Sequence, residues 1–403
     1  MSKVLHIVER RRSAWHMALR LIVVLLPLLA LGSSAQARTY KVLYNFTGGS
    51  DGGYPAFETL VQDKAGNLYG TTYAGGSSSC GTVFELAPSS GKETVLWNFT
   101  CGSDGGNPFS GLLLSGNTLY GTAVSGGSSG NGVIFSVNIS KRSETVLYSF
   151  TGSSDGGYPE GGLVLLNGVL YGTTTAGGTS QYGVLYSVAI KTGVETVLHS
   201  FRGNDGASPQ TASLTLNKAK TLLYGSTLDG GSQDNGVIFV LTIKNSKYRV
   251  IYNFTGGNDG GKPQGTLGID PSGNLYGTTF GGGANQSGVV FKVVPKARTE
   301  TVLHSFIGGS DGAMPDSGIL WTKQGLYGTT FEGGDPNCND GYGCGSVYKV
   351  TTTGKETVLH RFNGSDGLFS FCGVLADAKG NLFGTTQKGG SSNNGVVWRI
   401  SQK

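Results

Sequence analysis

Residues 57–108 read FETLVQDKAGNLYGTTYAGGSSSCGTVFELAPSSGKETVLWNFTCGSDGGNP, and the organisation of the chain follows from this stretch. It holds four short apolar segments, FETLVQD, NLYGTT, GTVFELA and ETVLWNF, each rich in β-branched and aromatic residues. Clusters of Gly, Ser, Asn and Pro separate them: DKAGN, YAGGSSSC, PSSGK and TCGSDGGNP. Branched and aromatic side chains suit a pleated, half-buried surface, and the intervening residues set turns, so the pattern predicts four antiparallel strands joined by short loops. No segment carries an apolar period of 3.6 over a helix length, which excludes a helical repeat.

The pattern recurs along the chain. An Asp-Gly pair stands at Asp51, Asp104, Asp155, Asp205, Asp259, Asp311 and Asp366, in steps of 53, 51, 50, 54, 52 and 55 residues. Periods of this length belong to propellers or solenoids, and a parallel β-helix would need shorter repeats. In the third segment Phe84, Phe135, Tyr186, Phe239, Phe291, Tyr348 and Trp398 share one position, and Val83, Ile134, Leu185, Ile238, Val290, Val347 and Val397 share its neighbour. Successive residues of a strand face opposite sides of a sheet, so these strands are apolar on both faces and must lie between other sheets. Each fourth segment ends in a phenylalanine (Phe46, Phe99, Phe150, Phe201, Phe254, Phe306, Phe362), expected to wedge between sheets.

The fold class these observations predict is all-β: a seven-bladed β-propeller of four antiparallel strands per blade, spanning residues 38–403. Closure is legible at the two ends. A fourth-type strand, Lys41 to Phe46 (KVLYNF), comes first, and a third-type strand, Gly395 to Ile400 (GVVWRI), comes last. Strand 41–46 is expected to join the last blade, which removes the sheet edge an open array would expose.

The units, of the form YGTT-x-x-GG…G-x-V-F…TVLYSF-x-GG-x-DG…P-x-GGL, resemble the GloVer (Gloeo-Verruco) tandem repeat of secreted bacterial proteins. Tyr69-Gly70-Thr71-Thr72, Tyr171-Gly172-Thr173-Thr174 and Tyr276-Gly277-Thr278-Thr279 carry the resemblance, which covers nearly all of residues 40–400. It implies a secreted repeat protein. Members often add a C-terminal surface anchor, and the absence of one before Lys403 suggests soluble release. The resemblance supplies no activity and no catalytic residue.

Residues 1–37 read as a signal peptide. Arg10, Arg11, Arg12 and Arg20 give a basic start, LIVVLLPLLALG a short apolar core, and Ala35-Gln36-Ala37 a small-x-small cleavage site. The apolar run is too short to span a bilayer, so no stable membrane span is expected after cleavage, and the localisation expected is secreted, periplasmic or cell envelope. The formal charge of +5 belongs mostly to this segment, which holds five basic residues and one acidic; 25 basic and 24 acidic residues remain beyond it. A near-neutral chain gives no bulk case for nucleic acid or anionic lipid as partner. All five cysteines lie beyond the signal segment. Cys338 and Cys344 bracket one loop and are the expected disulfide; Cys80 has Cys101 within reach, and the pairing among Cys80, Cys101 and Cys372 stays open. No zinc spacing accompanies them, so neither metal nor other cofactor is expected.

Residues present in every unit point to architecture. The Asp-Gly loops offer one carboxylate each, too few for calcium, and read as turns. His199, His304 and His360 take the place of Tyr44, Trp97, Tyr148 and Tyr252 and read as aromatic-sized fillers. Glu93, Glu144, Glu195, Glu300 and Glu356 read as solvated edge charges, and the Asn-Phe-Thr sequons at Asn45, Asn98 and Asn253 as by-products of the repeat.

Function in a repeat fold sits where units differ. The positions after each Asp-Gly loop, where a first strand enters beside the channel, vary: Phe57, Glu58, Phe109, Glu160, Gln210, Gln264, Asp316 and Phe371. Carboxylates, amides and aromatic rings around one funnel suit sugars through stacking and paired hydrogen bonds. The expectation is a secreted, monomeric binding or scaffolding propeller for extracellular polysaccharide or a surface protein. The alternative is a carbohydrate-active enzyme, a glycoside hydrolase or polysaccharide lyase, using Glu58, Glu160 and Asp316 as acid and base.

Overall fold

In the computed structural model, which describes residues 38–55, 59–210 and 213–401, the strands form seven antiparallel sheets arranged as the blades of a propeller. The expected signal segment, together with Phe57 and Glu58, lies outside the described residues. Within each blade the second, third and fourth strands are of similar length, as Leu68–Ala74, Thr82–Ala87 and Lys92–Asn98. First strands are brief, often two or three residues, except Gly261–Ile269 in the fifth blade. Thr39–Asn45 pairs antiparallel with Val396–Ser401 and so supplies the fourth strand of the seventh blade. The ring closes at its chain ends as the sequence predicts.

The core lies between blades. All seven third-strand aromatics and all seven terminal phenylalanines are completely buried. Each phenylalanine meets the third-strand ring of the next blade: Phe46 with Phe84 at 5.2 Å, Phe99 with Phe135 at 5.0 Å, Phe150 with Tyr186 at 5.0 Å, and so on to Phe362 with Trp398 at 6.2 Å. Nearly all are edge-on, the arrangement that aromatic quadrupoles favour by ~0.5–1.5 kcal/mol beyond burial. The glycine of each Tyr-Gly-Thr-Thr makes room for that ring. A Cβ on Gly70 would come within 2.7 Å of Phe84, and one on Gly384 within 2.3 Å of Trp398.

Every fourth strand carries a β-bulge, with its register shifting at Leu43, Leu96, Leu147, Leu198, Ile251, Leu303 and Leu359. One extra residue swings the two ends of a strand to opposite sides. Downstream of the bulge the aromatic residue reaches forward to its own Asp-Gly loop. The Tyr44 hydroxyl donates to Asp51 at 3.0 Å, Tyr148 to Asp155 at 3.0 Å and Tyr252 to Asp259 at 3.0 Å. His199, His304 and His360 bond Asp205, Asp311 and Asp366 through Nε2 at 3.1, 3.2 and 2.8 Å. The same carboxylates accept backbone N–H bonds from the loop, as from Thr47, Thr151 and Asn363. The repeated Asp is a loop cap.

Upstream of the bulge the strand faces back to the preceding blade, which corrects the reading of the glutamates. Glu93, Glu144, Glu195, Glu300 and Glu356 each have one carboxylate oxygen buried without a hydrogen-bond partner. Burial first, and then the neighbouring Asp51, Asp104, Asp155, Asp259 and Asp311, push these carboxyls up to about 7. They are not solvated edge charges.

Cys338 and Cys344 form the expected disulfide, with Cα atoms 5.6 Å apart. A second joins Cys80 to Cys101, and Cys372 is buried outside both.

Candidate functional site

The face carrying the Asp-Gly loops also carries the loops between second and third strands, and one hydrogen bond per blade ties the two together. The second glycine of each Gly-Gly pair donates to the Asp-Gly loop: Gly76 to Gly49 at 2.8 Å, Gly178 to Ser153 at 2.7 Å, Gly390 to Gly364 at 2.9 Å. The contact is too close for side chains, since a Cβ on Gly75 would lie 2.7 Å from Gly52. Three residues past each loop aspartate stands a residue in the left-handed region: Tyr54, Asn107, Tyr158, Ser208, Lys262, Met314 and Phe369, with φ between 48° and 59°. Such a conformation costs energy in a non-glycine residue and persists where its surroundings over-determine it. Here the determinant is a backbone bond to the previous blade, as Tyr158 N–H to Asn131 at 2.9 Å and Met314 N–H to Ser287 at 2.9 Å. The bend turns the following residues toward the axis.

Beyond the bend the backbone runs irregularly past the channel, and threonine hydroxyls replace much of the missing ladder. The first threonine of the Tyr-Gly-Thr-Thr motif donates to the incoming segment of the next blade: Thr71 to Ser110 O at 3.1 Å, Thr173 to Pro209 O at 3.3 Å, Thr278 to Ser317 O at 2.9 Å and Thr329 to Cys372 O at 2.9 Å. These buried bonds stitch blade to blade around the axis and hold the variable side chains in place.

Those side chains converge. Phe109, Gln210, Gln264, Asp316 and Phe371, from five blades, line one cavity of about 310 Å³. Residues from so many blades meet only at the ring axis. Glu160 stands beside the cavity, hydrogen-bonded to Gln210 and Thr175. The sequence reading missed Phe280 and Phe331, which complete the lining, and Tyr73, which lies edge-on to Phe109 at 6.0 Å. Their signal was present: each directly follows the recurring Tyr-Gly-Thr-Thr or its variants YGTA, YGST and FGTT, where the units read Tyr73, Val124, Thr175, Leu228, Phe280, Phe331 and Gln387. Phe331 stacks on Phe369 at 4.3 Å and meets Phe371 at 4.6 Å, so the wall at the sixth and seventh blades is aromatic. Gln210, Gln264 and Asp316, from the fourth, fifth and sixth blades, supply the polar part of the lining.

Both carboxyls here are unusual. Asp316 is buried, its Oδ1 has no hydrogen-bond partner, and burial holds it well above the usual carboxylate range. Desolvation raises Glu160 too, opposed by its bonds from Gln210 and Thr175, and its Oε2 has no partner. A neutral carboxylic acid both donates and accepts a hydrogen bond, as does a carboxamide. Among the described residues lining the cavity there is no Lys, Arg or His. The lining thus offers uncharged hydrogen-bonding groups beside apolar ring faces. Nowhere among the described residues do three His, Cys, Asp or Glu side chains gather as a metal site.

A family model described as the Gloeobacter/Verrucomicrobia repeat matches residues 33–223 and 212–403. No curated protein matches the sequence. In fold the chain is similar to an oligogalacturonate lyase solved in complex with manganese, at 12% identity, 92% of this chain and 94% of that one, and TM-score 0.54. It is similar also to an oligogalacturonate lyase from Vibrio parahaemolyticus, at 10% identity, 91% and 97% coverage, and TM-score 0.50. The extracellular domain of a proposed one-component system from B. thetaiotaomicron matches at 12% identity and TM-score 0.57, over 91% of this chain and 40% of that one. At these identities the likeness is one of fold.

Proposed function

We propose, from the premise that this chain belongs to the Gloeobacter/Verrucomicrobia repeat family, that it is an extracellular β-propeller which binds a neutral glycan in its axial funnel. The observation that carries the reading is the composition of the cavity: aromatic faces from Phe280, Phe331 and Phe371 together with Gln210, Gln264 and a buried Asp316 whose Oδ1 has no partner, with no cation in the described lining. Sugar rings present apolar faces to aromatic side chains and hydroxyls to amides and carboxyls. Two disulfides fit export into an oxidising compartment, and no helix among the described residues is long and apolar enough to cross a membrane. The signal segment 1–37 would direct that export.

Glycan-array binding of the secreted protein, with product analysis on the same samples, tests the reading. Retention of neutral oligosaccharides without new products supports it, and turnover would move the assignment to a glycoside hydrolase or lyase. Asp316→Leu and Phe331→Ala should each weaken binding ~10-fold or more, while the melting temperature of Asp316→Leu stays near or above wild type because an unpartnered buried carboxyl is removed. Binding unchanged in both variants would place the ligand elsewhere.

A further inference from the structure

The opposite face carries a second candidate site, and it differs from the funnel in charge. There the turns joining first to second and third to fourth strands lie at the far ends of the blades. A cleft of about 640 Å³ lined by the fourth, fifth and sixth blades and one of about 250 Å³ lined by the fourth share Leu222 and Tyr224 in their walls. Lys218 and Lys296 line the larger, beside Trp321, and Lys247 and Arg249 line the smaller. All four cations are exposed, and none forms an ion pair among the described residues. Lys220 and Lys244 stand exposed in the same turns.

One carboxylate, Asp270, stands in the lining against these four cations. Asp270 accepts backbone bonds from Ser272 and Asn274, a side-chain bond from Asn274 and the Tyr276 hydroxyl, all within its own turn and strand. The fourth blade is one of two whose fourth strand departs from the repeat. Five units begin that strand with Glu-Thr, whereas this one has Tyr248-Arg249 and the seventh blade has Tyr40-Lys41. Arg249 in place of threonine adds a base at the cleft. Trp321 likewise takes a position held by Leu114, Leu165 and Leu216 in other units.

We infer that this paired cleft binds a linear acidic polysaccharide, a chain bearing one carboxylate per sugar. Unpaired cations lining an apolar cleft match a polymer that alternates charge with ring faces, and Trp321, Pro271 and Pro295 supply surfaces for the rings. The rest of the molecule argues against a denser polyanion. Beyond residue 37 the chain holds 25 basic and 24 acidic residues, so no wide positive field surrounds the cleft to attract nucleic acid.

Affinity electrophoresis of the intact secreted protein tests this, with polygalacturonate, neutral dextran or single-stranded DNA cast in the gel. Polygalacturonate should retard the protein, the effect should fade as salt rises, and dextran should not reproduce it at this face. The variant Lys218→Gln/Arg249→Gln/Lys296→Gln should lose ~10-fold or more of that affinity. These side chains are exposed, so its melting temperature should match wild type. Phe331→Ala, in the funnel, should leave retardation unchanged. The inference fails if polygalacturonate gives no retardation at low salt, if DNA binds as tightly, or if the funnel variant loses the effect and the cleft variant keeps it.

Discussion

Two kinds of junction join the blades. At five of them a glutamate from the incoming blade faces the loop aspartate of the blade before, as Glu93 faces Asp51 and Glu300 faces Asp259. At the other two a tyrosine takes the glutamate's place and stacks flat on a histidine: Tyr248 on His199 at 3.7 Å, and Tyr40 on His360 at 3.6 Å. Its hydroxyl donates to the backbone of the loop aspartate, Tyr248 to Asp205 at 2.6 Å and Tyr40 to Asp366 at 2.7 Å. In these two the histidine and aspartate are six residues apart, whereas His304 and Asp311, in a glutamate junction, are seven apart. The shorter loop, the histidine and the tyrosine form one set. A repeat can therefore hold a constant fold while exchanging several residues together, and the difference decides which junctions bury a carboxyl that is pushed up to about 7.

The largest expected effect comes from the junction that also closes the ring. Deleting residues 38–47 removes both Tyr40 and the fourth strand of the last blade, and should abolish cooperative melting or drive aggregation. Size-exclusion chromatography and thermal denaturation would show it, and a monomer melting like wild type would refute the clasp. Next is Tyr248→Glu, which imposes the glutamate junction on a short loop. Loss of the stacked ring and burial of a carboxylate should cost ~3 kcal/mol, measured by urea denaturation.

Protonation separates the two classes with smaller energies. Glu300 titrates near the ordinary carboxylate range when unfolded and at about 7 when folded. Its contribution is fully present below the unfolded value and is lost as pH rises through 7. Glu300→Gln should therefore gain stability over wild type between pH 5 and pH 8. Solvent screening keeps the gain within ~1 kcal/mol. A difference in melting temperature that stays flat across this range would break the distinction.

The smallest effect sharpens the role of loop length. His304→Tyr restores a phenol at the spacing where Tyr148 and Tyr252 bond their aspartates, and should change stability by less than ~1 kcal/mol. His360→Tyr, on the shorter loop and beneath Tyr40, should cost more. Equal values in the two variants would show that loop length is irrelevant.

The sequence carried the ring in its aromatic positions, because burial between blades tolerates little besides large apolar side chains and every unit repeats the demand. It did not carry the bulge. A period of two reads Glu93, Val95, Trp97 and Phe99 as one face, and an inserted residue leaves no mark on composition. So Trp97 was placed correctly as a filler while Glu93 was assigned to solvent. The funnel was partly legible for the opposite reason: Phe109, Gln210, Gln264, Asp316 and Phe371 vary where the frame is constant. Phe280 and Phe331 were passed over because, directly after the motif, they read as the ends of strands.

The clasp also sets an order of events. Asn394 bonds the backbone of Thr47 across 347 residues, so the last blade is completed by the first and last segments of the ring. Contacts this distant form slowly, and until they form the first strand and the last blade each present an unpaired edge. In a protein threaded across a membrane from its N-terminus, strand 39–45 would emerge before the other strands of the ring and remain without its partner until strand 396–401 follows. The nascent ring is thus most exposed to wrong pairing with another copy of itself, and dimers that exchange this strand are the error it is built to risk.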